Sequence, residues 1–535
     1  MSRKRKENTP NGSEKDLKEL LRRNEELERK NAELTVENVI LLRRVILTEN
    51  APRHELPRLT KRFLSILSEW SGCFSQHRVY ERARDLALGF VLNTGRSTVT
   101  GAISALGQQF EDWSANYRLF SEGTYSSEDL FLPVFRGGVA HDRRESGHIA
   151  VALDDSSVRK TGKKIASARI LRAPLSLPYW PNLERRQRFV EASVLIRPEG
   201  REGQCRAIPI GFWDAPPAAK PRRSAGEEVW AQYRLAQRKQ SLGRQAASLA
   251  RLIVAQRETL STPSNKPLLF CVDGSMMNSG FLRGLSAGSL YIGRARKDAA
   301  LFAPASETAI GKRDPITGRV YGNRLPTPES IRKDAQIPWR ETRVYAAQKT
   351  HTVRFKEMGP VLWRKSTLRQ PLRLIVIAPL GYRPFHASRL LYRDPAYLLT
   401  SDLTSPTDQM IQAYVDRWEI EVGFRDQKAV FGLGQAQVWS DESVPRLPAF
   451  MATTYGALLV ASLDVFGPKR TDDYGERALW RTDTRMRPSL TDLRQRVRCE
   501  VRGTPRPTSY LRGPQYEAHF EPAPLRAPPL PPSPN

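Results

Sequence analysis

The chain has 535 residues, 40% of them hydrophobic, and no uninterrupted apolar run of about 18 or more, which argues against a membrane span and leaves ample core for several domains. Its 85 Lys and Arg against 57 Asp and Glu give a net charge of +28 spread along the whole length, so a polyanionic partner is expected, with nucleic acid first among them. The start, Met1-Ser-Arg-Lys-Arg-Lys6, is basic with no apolar segment behind it, and four widely spaced cysteines make no Cys-x-x-Cys pair; a cytoplasmic chain with reduced thiols is expected, without a disulfide framework or zinc ribbon.

Residues 1–13 read as a basic disordered arm. Residues 14–50 read as a leucine-zipper coiled coil, with Leu20, Leu27, Leu34 and Leu41 at d and Leu17, Asn24, Asn31, Asn38 and Val45 at a. Asparagines at a restrict register, and Arg23 at g can meet Glu28 at the next e of a parallel partner, so a homodimer is favoured over a single amphipathic helix lying on the body. Residues 56–135 form an all-α region. Phe63, Leu64, Leu67 and Trp70 recur at helical spacing, and a helix from about Tyr80 to Leu92 is followed by the break Asn93-Thr-Gly-Arg-Ser97 and a second helix from Thr98 to Leu106. That is a helix-turn-helix pattern in which Ser97 is the candidate N-cap and Arg96, Ser97, Thr98 and Thr100 would face a DNA groove or phosphates. The same pattern occurs in plain helical bundles.

The strand Ile149-Ala-Val-Ala-Leu153 ends in Asp154-Asp155-Ser156-Ser157 and the basic turn Arg159–Lys164. Strands are expected at 188–196 and 205–213, a helix at 227–258, and the buried-type strand Pro267–Val272 ending in Asp273. A helix near 281–285 and a strand at 290–295 complete the unit. Three strands, a crossing helix and a fourth strand with an acid at its end is the order expected of an α/β ribonuclease H-like fold. Its first part is assigned to 146–303, a β-rich insertion to 304–380 with strands at 342–346, 350–356 and 372–378, and its last part to 381–466 with an apolar helix from Pro448 to Val465. A basic region at 467–520 and a Pro-rich tail at 521–535 follow. Trp339 and Trp363, in the insertion, are either base-stacking or core residues.

Tyr414, Arg417, Glu421 and Lys428 fall within an arc of about 60° on a single helix, beside an apolar stripe of Ala413, Ile420, Phe424 and Phe431. A phenol, a guanidinium, a carboxylate and an ammonium together suit phosphate and metal handling, although an Arg417–Glu421 pair is also what a solvated helix face carries. The spacing Tyr-x2-Arg-x3-Glu-x6-Lys, with Gly432-Leu-Gly-Gln-Ala-Gln-Val-Trp439 after it, resembles the Tyr-Arg-Glu-Lys (YREK) signature of DDE transposases of bacterial insertion sequences. The resemblance covers about residues 60–465 and is specific at Tyr414–Trp439; Asp273-Gly274 departs from the Asp-Arg pair frequent in the family. It implies a helical DNA-binding region ahead of the nuclease core, an insertion that helps hold the transposon end, and a cut-and-paste route through a hairpin intermediate. It also implies that Asp273, Glu421 and an earlier aspartate hold Mg²⁺, for which Mn²⁺ can substitute, and that Tyr414, Arg417 and Lys428 meet DNA phosphates.

The chemistry fits those residue types. Phosphodiester hydrolysis without a covalent intermediate needs an activated water and charge relief on the leaving oxygen, which two Mg²⁺ ions held by carboxylates supply. The first acid is Asp154, through the Asp-x-Ser pattern with Ser156, or Asp155, through Ser157. No His-x-x-x-His, Cys/His cluster or Walker-type loop competes, and Gly284-Leu-Ser286-Ala-Gly288 runs from helix to strand, the reverse of a nucleophile elbow. The expected protein is a nucleoid-associated, dimeric DNA transposase acting on double-stranded DNA. A catalytically silent DNA-binding protein and a junction or repair nuclease of the same fold are the alternatives.

Overall fold

The computed structural model describes residues 58–502 apart from 175, 178, 202, 261–265, 306–312, 314–317, 319, 347, 365, 368, 383–387 and 476–486, together with residues 22, 23 and 26. The expected basic arm, the rest of the leucine zipper and the Pro-rich tail lie outside the described residues; Arg22, Arg23 and Glu26 are helical and exposed. Two compact units are formed, Lys61–Pro468 and a second drawn from Met1–Thr60 with Lys469–Asn535.

Lys61–Pro468 is a mixed α/β unit built on one 12-stranded sheet. The strands are β1 (Ile149–Arg159), β2 (Arg169–Arg172), β3 (Leu183–Ile196), β4 (Arg206–Asp214), β5 (Leu268–Val272), β6 (Leu290–Arg294), β7 (Phe302–Pro304), β8 (Tyr321–Arg324), β9 (Arg340–Ala346), β10 (Lys349–Leu362) and β11 (Pro371–Ile377), then the separate ribbon β12 (Gly381–Tyr382) and β13 (Leu391–Tyr392), and last β14 (Ala396–Thr400). Their order is β2-β3-β1-β5-β6-β14-β11-β10-β7-β8, with β4 on β3 and β9 on β10. β1 is antiparallel to β3 and parallel to β5, and β5 is parallel to β6.

The helices are α1 (Arg58–Ser68), α2 (His77–Leu92), α3 (Val99–Ala105), α4 (Ser114–Ser121), α5 (Leu132–Ala140), α6 (Glu227–Lys239), α7 (Leu242–Thr259), α8 (Ser279–Leu282), α9 (Pro328–Lys333), α10 (Thr407–Asp416), α11 (Glu419–Arg425), α12 (Ser443–Phe466) and α13 (Leu490–Arg502). Strand alternation decides which of them covers which face of the sheet. Ala150 and Ala152 of β1, Leu269 and Cys271 of β5, and Ile292 of β6 share a core with Met410, Ile411, Ala413, Ile420 and Phe424 of α10 and α11. On the opposite face a Cβ at Gly138 of α5 would meet Val194, and one at Gly211 of β4 would meet Leu249 of α7. The long apolar α12 lies there too: Gly456 sits so close to Pro209 and Val134 that any side chain would displace one of them. It is long and apolar enough to cross a membrane, but 83% of its most apolar window is buried inside the protein.

Several sequence expectations shift. β1 does not stop at Leu153, because antiparallel pairing with β3 continues from Asp154↔Glu191 to Arg159↔Arg186, so both aspartates sit inside the strand. Only its parallel pairing with β5 ends at Leu153↔Val272. The helix expected at 227–258 is two: Ser241 takes an extended backbone between α6 and α7, and Gly243 then lies tight against Asn278, the cap of α8. The strands expected in the insertion form no separate sheet, because β11 pairs with β14 and β14 with β6, which makes them a continuation of the main one. In the helix-turn-helix segment the N-cap of α3 is Thr98, which accepts from the Gly101 amide, whereas Ser97 is buried.

In the second unit Leu490, Leu493, Val497 and Val501 line one side of α13, and Glu500 accepts from the Thr60 amide and hydroxyl, both at 2.8 Å.

Candidate active site

Residues of one parity on β1 point toward α10 and α11, and Asp154 continues the parity of Ala150 and Ala152. It therefore emerges at the edge of that core, where Arg417 Nη1 donates to its Oδ2 at 2.8 Å. The other arm of the same guanidinium donates to Glu421 Oε1 at 3.4 Å. Arg417 also lies 5.9 Å from the Tyr414 ring centroid, and Lys428 Nζ donates to Ser156 Oγ on β1. Asp273 follows β5 directly; its Oδ1 accepts from the Ser275 amide and hydroxyl and from the Met276 amide, which fixes the strand-end turn. Asp155, of opposite parity, feels Arg188 most among its charged neighbours.

The segment that supplies these groups is not one straight helix. α10 ends at Asp416, and Trp418, Ile420 and Glu421 each bond to the carbonyl three residues back. This local tightening is compatible with a buried, doubly paired Arg417 at its centre. Farther on, Asp426–Val430 is a π-turn, closed by the Phe431 amide on the Asp426 carbonyl. Gly432 ends it in the left-handed region at φ 73°, where a Cβ would come within 2.6 Å of Ser97 Oγ. Gly is the residue that meets both demands. Gln435 then accepts from the Ser97 amide at 2.7 Å, and Lys160 Nζ donates to the Gly434 and Ala436 carbonyls at 3.1 Å each, tying the Gly432–Trp439 loop to β1 and to the α2–α3 turn.

Two interactions unforeseen in the sequence hold this arrangement. Asp416, next to Arg417, takes a bidentate bond from Arg197 at the end of β3, at 2.6 and 2.8 Å, with both side chains almost fully buried. Gln427, buried by the π-turn, donates at 2.7 Å to Glu191, which also accepts from Ser193 at 2.7 Å and sits directly across the strand pair from Asp154. An acid inside the apolar run Phe189-Val-Glu-Ala-Ser-Val-Leu-Ile196 was the available signal for Glu191; nothing local marks Arg197 or Gln427.

Electrostatically the site is poised rather than neutralised. Burial pushes Asp154 up to about 7, with Arg417 opposing and Asp273 reinforcing the rise. Burial pushes Glu191 up to about 7 as well. Glu421 and Asp155 are raised, again by burial first, and Asp273 adds to both. For Arg417 burial opposes the charge, but Asp154, Tyr414, Glu421 and Asp273 outweigh it and raise its pKa. Lys428 is lowered, by burial and then by Arg186.

Thus Asp154, Asp273, Glu421, Tyr414, Arg417 and Lys428 share one electrostatic environment on the α10–α11 side of the sheet. Of the helix-turn-helix group, Arg96 is exposed, Thr98 caps α3, and Thr100 bonds Tyr117 at 2.7 Å. Trp339 is half-buried with Lys356 Nζ at 4.6 Å from its ring centroid, and Trp363 is half-buried too. Among the described residues no three His, Cys, Asp or Glu side chains gather closely enough to hold a metal ion, and Arg417 bridges two of the acids instead. The donors are nevertheless all carboxylate oxygens, raised at Asp154 and Glu421 by burial first and then by Asp273, and that combination suits a hard divalent cation. The chain matches no protein-family model and no curated protein.

Proposed function

We propose that this chain is a DDE transposase of an insertion sequence, a metal-dependent endonuclease and strand transferase with a ribonuclease H-like core. The observation that carries the reading is the meeting of Arg417, from the Tyr-Arg-Glu-Lys segment, with Asp154, 263 residues away in sequence, and with Glu421. The order β4-β3-β1-β5-β6, antiparallel through β1 and parallel from β1 to β6, supports that core. The +28 charge supports double-stranded DNA as the partner. Asp154, rather than Asp155, is the first acid because it faces Arg417 and the α10–α11 core.

In this reading Asp154, Asp273 and Glu421 would hold Mg²⁺ or Mn²⁺, which when bound supplies an activated water and charge relief on the leaving 3′ oxygen. Lys428 binds a backbone phosphate beside Ser156. Arg417 keeps the acids apart and charged, and Tyr414 orients its guanidinium. The α2–α3 segment contacts the element's end, and residues 14–50 join two copies.

The test is cleavage of duplexes carrying the inverted repeats that flank the gene, with Mg²⁺ and purified full-length chain. Asp273→Asn is expected to abolish cleavage and leave binding near that of the parent, since an amide ligates Mg²⁺ poorly but keeps the shape. One observation favours a second reading: Arg417 already bridges two of the three acids, where a metal ion would otherwise sit, as suits a catalytically silent DNA-binding protein. Binding of the repeats without Mg²⁺-dependent cleavage would select it.

A further inference from the structure

The β2–β3 arm continues directly from the two strands that carry Asp154 and Glu191, yet packs little of its apolar surface. Tyr179 is 94% exposed, Trp180 81%, Leu177 68%, Ile170 63% and Leu183 62%. A monomer rarely leaves such a group bare without a use for it. The arm is also strongly basic: residues 159–188 hold nine Lys and Arg (159, 160, 163, 164, 169, 172, 185, 186 and 188) against the single acid Glu184.

Those cations are spent on shape, not on neutralisation. Arg185 donates to the carbonyls of Gly162, Lys163 and Ile165, and Arg172 to that of Leu177 at 2.9 Å. Among the described residues of the arm only Arg186 forms a close ion pair, with Glu184 at 2.6 Å, while Arg188 acts on Asp155 at longer range. Hydrogen bonds to carbonyls stiffen the ribbon while leaving its positive charge free to attract an external polyanion. The Trp180 amide donates to the Leu177 carbonyl at 3.2 Å, beside the two exposed aromatic side chains.

We propose that this arm is a wedge for duplex DNA, in which Trp180 and Tyr179 stack on bases that the arm opens while its arginines hold the adjoining phosphates. The inference rests on the transposase reading and names what the site does to its substrate. Nine basic residues against one acid, bare aromatic faces and continuity with the acid-bearing strands together select nucleic acid over an apolar protein partner. Glu191, the partner of Asp154, lies eight residues along β3 from Leu183 at the base of the tip. At about 3.3 Å per residue this sets the base of the tip about 26 Å from Asp154, about eight base-pair steps.

The test uses the full chain in EDTA, so that no strand is cut, and duplexes carrying 2-aminopurine at successive positions. The parent protein is expected to raise the fluorescence in one short window, centred about eight base pairs from the cleavage position. Trp180→Ala should remove the rise and weaken binding about tenfold with the salt slope unchanged, and Trp180→Phe should restore most of both. Because Trp180 is exposed, the substitution leaves the fold intact, which circular dichroism checks. Duplex binding with no fluorescence rise, or a Trp180→Ala variant indistinguishable from the parent, overturns the wedge alone. So does a variant that loses self-association or binding to anionic vesicles while still unstacking DNA, since the tip then covers a second copy or a membrane. A parent chain that binds no duplex at all overturns the transposase reading as well.

Discussion

Replacing Arg417 by Met separates its electrostatic from its packing role. The methionine keeps most of the buried aliphatic volume and removes the cation that bonds Asp154 at 2.8 Å and Glu421 at 3.4 Å. In the parent, Asp154 titrates near 7, well above an ordinary aspartate, so its contribution to stability is fully present below about pH 4 and is lost as pH rises through about 7. Above pH 7 the parent's loss is complete. In the variant the carboxylate has no counter-ion, its pKa moves higher still, and the loss continues at about 1.4 kcal/mol for each further pH unit. Arg417→Met should therefore cost little beyond packing at pH 6 and about 2–3 kcal/mol more at pH 9. Guanidinium denaturation across that range measures it. Mg²⁺ should also stabilise the variant more than the parent at pH 8, because the carboxylates no longer share their charge with a guanidinium. A destabilisation that stays constant from pH 6 to pH 9 would refute the reasoning, as would an equal response of both proteins to Mg²⁺.

Other consequences can be measured directly. Lys428→Ala should flatten the log-log salt dependence of duplex binding by about one unit, whereas Glu421→Gln should leave the slope unchanged or strengthen binding and stop hydrolysis; a full slope for the first and normal cutting by the second would return this segment to a plain salt-bridge face. Glu191 also titrates near 7, so its stabilising effect is present below about pH 4.5 and lost by about pH 7; Glu191→Gln should reduce the fall in stability over that interval, by about 3 kcal/mol at most, in thermal melts at stepped pH. His148 runs the other way: burial and Arg144 hold it down to about 4, so its contribution is present above about pH 6.5 and lost as pH falls toward 4, and His148→Gln should blunt acid unfolding. Light scattering of the full chain and of one beginning at Pro52 should give a dimer and a monomer, and a monomeric mass for both removes the zipper.

The parts of the site legible in the sequence were those with a local signature. Asp273 follows the short apolar run Leu268–Val272, and the spacing of Tyr414, Arg417, Glu421 and Lys428 singles out the segment that the structure brings against β1. What was not legible depends on contacts between distant segments. Local hydrophobicity ends at Leu153, but β1 runs on to Arg159 because β3 supplies partners, a fact outside the window of any local pattern. The break at Ser241 coincides with the close approach of Gly243 to Asn278, and β11 joins the main sheet through β14. Nothing in the sequence singles out Arg197 and Asp416, 219 residues apart, whose pairing buries both.

The broken course of the 407–430 segment bears on whether its charges are structural or functional. A regular amphipathic helix would have sufficed to cover the sheet, and its charged residues could have faced solvent at almost no cost. Here the chain tightens at Arg417 and widens into a π-turn at Asp426–Val430, and the outcome is that Arg417, Gln427 and Lys428 all turn toward β1 and β3. Burying Asp154, Glu191 and Lys428 costs desolvation that their own pairing does not recover, as the upward shifts of the two acids and the downward shift of the lysine record. Apolar residues of the same volume would hold α11 against the sheet more cheaply. Irregular backbone and poorly compensated charge concentrated at one place argue for a site whose missing counter-charges come from outside the chain, cationic at the carboxylates and anionic at Lys428.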